Sequence, residues 1–328
     1  RSSDLGTVPV IAVDKVQAVA LAVCTYYFGV WLKGKVGVLS RYSIPSPVVG
    51  GMSFAIVVSF LEYFNIVKVQ IDSTLQTVLM LGFFTTIGLM ASLRVVKDGG
   101  RLLLGFLLAV TVLVFLQNGM GMAIAEAMGF DKHYGILAGS VSMMGGLGTA
   151  AAFGPYFEET YGITGGTAVA VTAATFGMVA ALLIGGPFGE WCIRRYQVKT
   201  PDEVQQPEPE LHLPDDMDTD ITEQHASAKP NFTNEIMRAV SVTALAMGLG
   251  TIVSNYLGHY ITLPAYIGAM IVATVIRNVG DFSGMYKVEG KGLNAVADIT
   301  LVLFVTMAIN NLKLHELVQD RKSTRLNS

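Results

Sequence analysis

The chain has 328 residues, 52% of them hydrophobic and 14% charged, with a formal net charge of −3 and a mean hydropathy of +0.52. Soluble domains carry about 25% charged residues, so this composition excludes an ordinary soluble globular domain. With no basic patch interleaved with aromatics, it also excludes a nucleic-acid-binding module. Several apolar segments reach the roughly 20 residues that cross a hydrocarbon core of about 30 Å, which predicts an all-α polytopic membrane protein surrounded by lipid.

In chain order, spanning helices are expected first at about 16–33, 47–64, 74–93 and 102–126. Cys24 and Cys192 lie in or beside apolar segments and are read as small buried hydrophobes; no disulfide framework or metal-ligand spacing is present. Next comes the run Met143-Met144-Gly145-Gly146-Leu147-Gly148-Thr149-Ala150-Ala151-Ala152. Each glycine costs a helix about 1 kcal/mol relative to Ala, so the run predicts broken backbone. At membrane depth, freed N–H and C=O groups are tolerated only inside protein or beside a watery cavity. Residues 134–157 are therefore expected to form a re-entrant hairpin turning at Gly145–Thr149. Its two arms of about ten residues rise about 15 Å, half the core.

A fifth spanning helix is expected at 165–190. Residues 201–232 follow as an acidic, Pro-rich linker: positions 201–230 hold five prolines, nine acidic residues and one lysine. Further helices are expected at 236–257, 263–280 and 293–312, and the polar tail 319–328 is read as non-native. Lys33, Lys35 and Arg41 follow the first helix, and Arg94, Lys97 and Arg101 follow the third. Arg194, Arg195 and Lys199 follow the fifth, and Arg277, Lys287 and Lys291 the seventh. All these clusters fall on one side if the hairpin does not cross. The positive-inside rule then puts the N-terminus outside and the linker in the cytoplasm.

The chain also repeats itself. Pro45-Ser46-Pro47-Val48-Val49-Gly50-Gly51-Met52 matches Pro264-Ala265-Tyr266-Ile267-Gly268-Ala269-Met270 with one gap, and Phe84-Thr85-Thr86 matches Phe304-Val305-Thr306 at a similar offset. With five crossings per copy, the second copy enters from the opposite side. The expectation is two inverted-topology repeats of five transmembrane helices with re-entrant hairpins. The first occupies 1–200, and the second begins at 233–318 and is incomplete, which reads as a fragment.

The hairpin tip is the leading site. Gly145, Gly146 and Gly148 let backbone amides approach a ligand, and Thr149 is expected to cap the outgoing half-helix, whose N-terminus favours a carboxylate. Carbonyls of Ser142, Met143 and Met144 at the end of the incoming arm suit a sodium ion. Thr85, Thr86 and Thr306 fit ion or substrate contact and equally fit back-bonding to their own helices. Asp298 fits either an intramembrane functional carboxylate or a structural or snorkelling one; Asn310 fits either an ion contact or an interfacial position. Gln117 and Asn118 are read as interhelical hydrogen-bond partners. No nucleophile–base pair, phosphate loop or metal motif is present, so no enzyme is expected, and no cofactor beyond sodium as coupling ion.

Pro45-Ser46-Pro47-Val48-Val49-Gly50-Gly51, Phe83-Phe84-Thr85-Thr86-Ile87-Gly88-Leu89, Ala138-Gly139-Ser140, Gly145-Gly146-Leu147-Gly148-Thr149-Ala150-Ala151-Ala152 and Asp298-Ile299-Thr300-Leu301 together resemble the bacterial sodium/glutamate symporters. The resemblance implies sodium-coupled glutamate uptake across the bacterial inner membrane by an elevator-like alternation, in a homodimer with scaffold and transport parts. It implies that Gly145, Gly146, Gly148 and Thr149 belong to the substrate and ion site. The family commonly has histidine where this chain has Leu147, which keeps another small carboxylate, hydroxycarboxylate or bile-acid-like, as the alternative substrate. A channel is a further alternative from a different class, disfavoured by a pseudo-twofold repeat with tips at mid-membrane.

Overall fold

The computed structural model describes residues 8–37, 39, 44–196, 232–257, 264–284, 286 and 290–312. The expected linker, apart from Phe232, and the expected tail lie outside the described residues. The helices are α1 (Lys15–Lys35), α2 (Ser46–Tyr63), α3 (Thr74–Met90), α4 (Leu93–Ala127), the short α5 (Lys132–Ile136), α6 (Gly146–Tyr161), α7 (Gly166–Tyr196), α8 (Phe232–Leu257), α9 (Ala265–Ser283) and α10 (Lys291–Asn310). Among the described residues six of them, α1, α2, α4, α7, α8 and α10, are long and apolar enough to cross a membrane. The chain is a polytopic, mostly helical membrane protein. Helix α3 has 17 residues, and α9 carries Arg277 and Asp281 in its last turns.

Local chemistry sets several boundaries. Asp14 and Gln17 form a capping box at α1: the Asp14 carboxylate accepts from the amides of Val16 and Gln17 at 2.8 and 2.9 Å, and the Asp14 amide donates to Gln17 Oε1 at 3.1 Å. Pro45 and Pro264 precede α2 and α9 in the same extended conformation (φ −61°, ψ 138° and φ −56°, ψ 142°). Proline's fixed φ and missing N–H suit a helix entrance. Within α4, Gly100 leaves helical geometry (φ 53°, ψ −140°), so the apolar span expected from residue 102 starts just past a break.

The expectation of an all-α chain needs one correction. Val10–Val13 and Lys68–Ile71 form strands β1 and β2, paired in parallel with Val10 opposite Lys68. Each strand leads into a helix, α1 or α3, and the α1–α2 pair supplies the crossover that parallel strands need. Such short runs carry too little periodicity to stand out beside spans of 20 residues.

Small residues bring the helices together. A Cβ on Gly29 would lie 2.2 Å from the Ser46 carbonyl oxygen, and one on Gly50 1.8 Å from that of Thr25, so α1 and α2 cross in backbone contact. A Cβ on Gly250 would lie 2.2 Å from Ala269 Cα, which brings α8 equally close to α9. Gly88 of α3 lies against Met270 of α9 in the same way, and Gly121 of α4 against Gly135 of α5. Close backbone approach replaces the hydrophobic drive that lipid does not provide. Helix α10 runs through the middle. Its Phe304, Val305 and Ile309 join Leu137, Ala150 and Val171 in the main core cluster. By contrast, the apolar span of α4 buries nothing, and Leu104, Phe106, Leu108 and Phe115 face outward. Cys24, expected to be buried, is exposed on α1, and Cys192 is half-buried; both are free thiols.

A polar corner closes one end of the bundle. Ser92, between α3 and α4, donates to Asp281 at 2.5 Å, and Arg277 pairs with the same carboxylate at 3.0 Å. Asn278 accepts from the Leu93 amide at 2.7 Å and donates to the Ala91 carbonyl at 3.0 Å. Buried charges are stable only when paired and hydrogen-bonded in this way.

Candidate functional site at the hairpin tip

The segment after α4 enters the bundle and returns to the end it left. Asp131 caps α5, accepting from the His133 amide at 2.8 Å, and this bond holds its carboxyl below the usual carboxylate range. The His133 ring stacks on Tyr161, at the far end of α6, with centroids 4.2 Å apart. The start of the incoming arm is thus beside the end of the outgoing arm.

The incoming arm runs through α5 into a π-helical turn, Leu137–Val141. Gly139 breaks it (φ −82°, ψ −121°), and the Asn118 side chain of α4 accepts from the Ser140 amide beside the break at 3.3 Å. That is the interhelical bond expected of Asn118. The Ser142 hydroxyl donates to the Leu137 carbonyl at 2.5 Å. The chain then turns: the amides of Met144 and Gly145 both donate to the Ser140 carbonyl, and Gly146 takes a left-handed φ of 75°. Only glycine adopts that conformation without cost.

Thr149 does not cap α6 as expected. Gly145 holds the N-cap position, and the Thr149 hydroxyl donates backward to the Val141 carbonyl at 2.6 Å, with the Gly146 carbonyl at 3.1 Å. A cap needs an acceptor ahead of the helix; Thr149 is already inside it and ties the two arms together. At the tip, Met143, Met144 and Gly145 are exposed while Ser142 is buried.

The tip lies level with the middle of three helices. Met143 packs against Gly177 of α7. A Cβ on Gly148 would come within 2.8 Å of the Phe83 ring of α3 and 3.4 Å of Leu301 of α10. The same two helices carry Thr85, Thr86 and Thr306, all fully buried. Their hydroxyls donate to the carbonyls of Leu81, Phe83 and Val302, each at 2.7 Å. The structure therefore places the threonines on the two helices that touch the tip, with their protons already committed.

Asp298 and Asn310 are not brought together. Twelve positions apart on one helix, they are separated by about 18 Å of rise. Asp298 is exposed in the second turn of α10. Asn310 is buried, donates to Thr25 Oγ1 at 3.0 Å and leaves its own Oδ1 without a partner. Sequence reasoning missed Thr25, which lies 285 positions from Asn310. Gly139 stood out only within the motif Ala138-Gly139-Ser140; its backbone break was missed, because no glycine cluster marks it.

Comparison with known proteins decides what this arrangement belongs to. The family model described as sodium/glutamate symporter matches residues 11–320. The sodium/glutamate symporter of Escherichia coli (strain K12) is 34% identical over 309 residues, covering 93% of this chain and 74% of that protein. The chain belongs to the sodium/glutamate symporter family. The Haemophilus influenzae symporter is similar at 31% identity over 307 residues, 92% of this chain and 73% of that protein. Membership makes it a transporter-family protein and not an enzyme. The matched range takes in the hairpin and the polar corner alike.

Proposed function

We infer that this protein takes up glutamate together with sodium across a bacterial inner membrane by alternating access, with the hairpin tip as the binding site. The observation that carries the reading is a glycine-rich tip at mid-bundle, on a hairpin whose two ends meet at one end of the molecule. The substrate and ion are those named for the relatives at 34% and 31% identity. Backbone amides of Gly146 and Gly148 in the first turn of α6 suit a carboxylate, and Gly145 at its N-cap, whose own amide donates to Ser140, leaves room for the ligand to approach. Carbonyls of Ser142, Met143 and Met144 suit sodium, and Thr85, Thr86, Thr306, Asp298 and Asn310 are candidates for ion contacts. A second reading, another small carboxylate, is favoured by Leu147, which places an apolar side chain at the tip.

The architecture proposed for this activity is a pair of inverted repeats, 1–200 and 233–318, joined by a cytoplasmic linker at 201–232, with residues 134–157 as the re-entrant hairpin and the N-terminus outside. Like-for-like features support it. Proline opens both α2 and α9, glycine crossings join α1 to α2 and α8 to α9, and buried threonines back-bond in both α3 and α10. The functional unit in this proposal is a homodimer in which a transport part moves against a scaffold.

The deciding measurement is uptake of radiolabelled glutamate by the protein in proteoliposomes, with a sodium or a potassium gradient. Sodium-dependent uptake is expected, and Gly146→Leu is expected to abolish it while membrane insertion is retained. Uptake that is indifferent to sodium refutes the coupling, and full uptake by Gly146→Leu removes the tip from the site. Hydroxycarboxylates that outcompete glutamate establish the second reading.

A further inference from the structure

A cavity of about 600 Å³ lies where α3, α9 and α10 meet the outgoing arm α6 and the start of α7. Its wall carries Gln76, Tyr156, Glu159 and Asn311. Two more wall residues, Thr167 and Tyr266, are only 4% and 3% exposed, and their hydroxyl oxygens have no protein partner. Those two oxygens are themselves shut off from solvent, but a wall that also carries Gln76, Glu159 and Asn311 makes the space polar, and a polar space with enough room holds water. One water occupies about 30 Å³ of liquid, so this cavity is roomy enough to be wet.

The inner end of the cavity is formed by Met80 of α3 and by Ala151 and Ala152 of α6. One helical turn further along both helices, the Phe83 ring lies on Gly148. Residues three and four apart share a helix face. Phe83 therefore stands directly beyond Met80, and Gly148 directly beyond Ala151 and Ala152. Phe304 packs on Phe83 with ring centroids 5.6 Å apart, and Leu301 closes the other side of Gly148. An apolar plug one turn thick, Phe83 on Gly148, separates this cavity from the turn of the hairpin at Met143–Gly146.

We propose that this cavity is the outer vestibule leading to the hairpin tip, and that Phe83, seated on Gly148, is the barrier that closes it in the conformation described. The inference rests on the orientation given under the proposed function, with the start of α3 and the end of α6 outside. Glycine at 148 is what lets the ring seat. A side chain there would displace the ring, and opening requires the ring to leave.

Thiol labelling tests it in a Cys24→Ser, Cys192→Ser background. Thr77→Cys marks the vestibule wall and Met143→Cys marks the tip. A membrane-impermeant cationic thiol reagent is added to right-side-out or inverted vesicles without sodium or substrate. Thr77→Cys is expected to react from the outside. From the same side, Met143→Cys is expected to react at least tenfold faster when Phe83→Ala is added, and to stay slow with Phe83→Leu, which retains apolar bulk. Equal rates with and without the ring overturn the barrier. A Thr77→Cys that reacts from neither side overturns the vestibule while leaving sodium-driven uptake intact. Reaction from the cytoplasmic side alone overturns the orientation and the vestibule with it.

Discussion

Thr149 carries a polar bond across the hairpin, from its hydroxyl to the Val141 carbonyl. Removing the donor leaves a half-buried carbonyl unpaired, and a typical net hydrogen bond is worth about 0.5–1.5 kcal/mol. Thr149→Val is therefore expected to loosen the tip and weaken glutamate binding by up to about tenfold, whereas Thr149→Ser, which keeps the hydroxyl, stays close to the parent. Isothermal titration at fixed sodium separates the two variants; equal affinities refute the tie. Asn310 shows the limit of residue-level reading. The sequence marks an amide near the end of an apolar helix, but its burial and its bond to Thr25 depend on α1 folding back over α10.

At the scale of elements, glycine's value depends on where it lies on a helix. Gly29 and Gly34 are five positions apart on α1. A Cβ at Gly29 would collide with the Ser46 carbonyl, while one at Gly34 meets nothing within 4 Å. Overpacking of this kind costs about 1–3 kcal/mol, while relieving a glycine inside a helix gains up to about 1 kcal/mol. In thermal unfolding in detergent, Gly29→Ala is expected to lower the midpoint and Gly34→Ala to leave it unchanged or raise it. A fall of equal size for both would show that α1 and α2 do not cross at Gly29. The spanning helices were legible because a long apolar run has few alternatives. Helix α4 was legible only from residue 102: Gly100 breaks its helical geometry, and the polar corner that holds Ser92 and Leu93 involves α9, far away in sequence.

At the scale of the whole molecule, the hairpin in the proposed topology decides the parity of every crossing after it. Its two ends lie together at His133 and Tyr161, and the ends of α6 and α10 share a cavity with the starts of α3, α7 and α9. That grouping is what the proposed topology requires. Cysteine at Glu159, in a background without native thiols, is expected to be labelled from outside intact cells. Labelling only after permeabilisation would reverse the orientation of α7, the linker and the second repeat together.

Sequence alone determined that this chain is a helical membrane protein interrupted by a glycine-rich segment, because hydrophobic length and glycine's helix cost are local properties that need no partner. It also carried the motifs of the family to which the comparisons assign it. Tertiary structure alone decided which breaks matter. The bond from Thr149 to Val141, the break at Gly139 served by Asn118, the β1–β2 pair and the seat of Phe83 on Gly148 all join residues whose meeting depends on how the helices pack. Packing is set by shape across the whole bundle, and no window of sequence contains that shape.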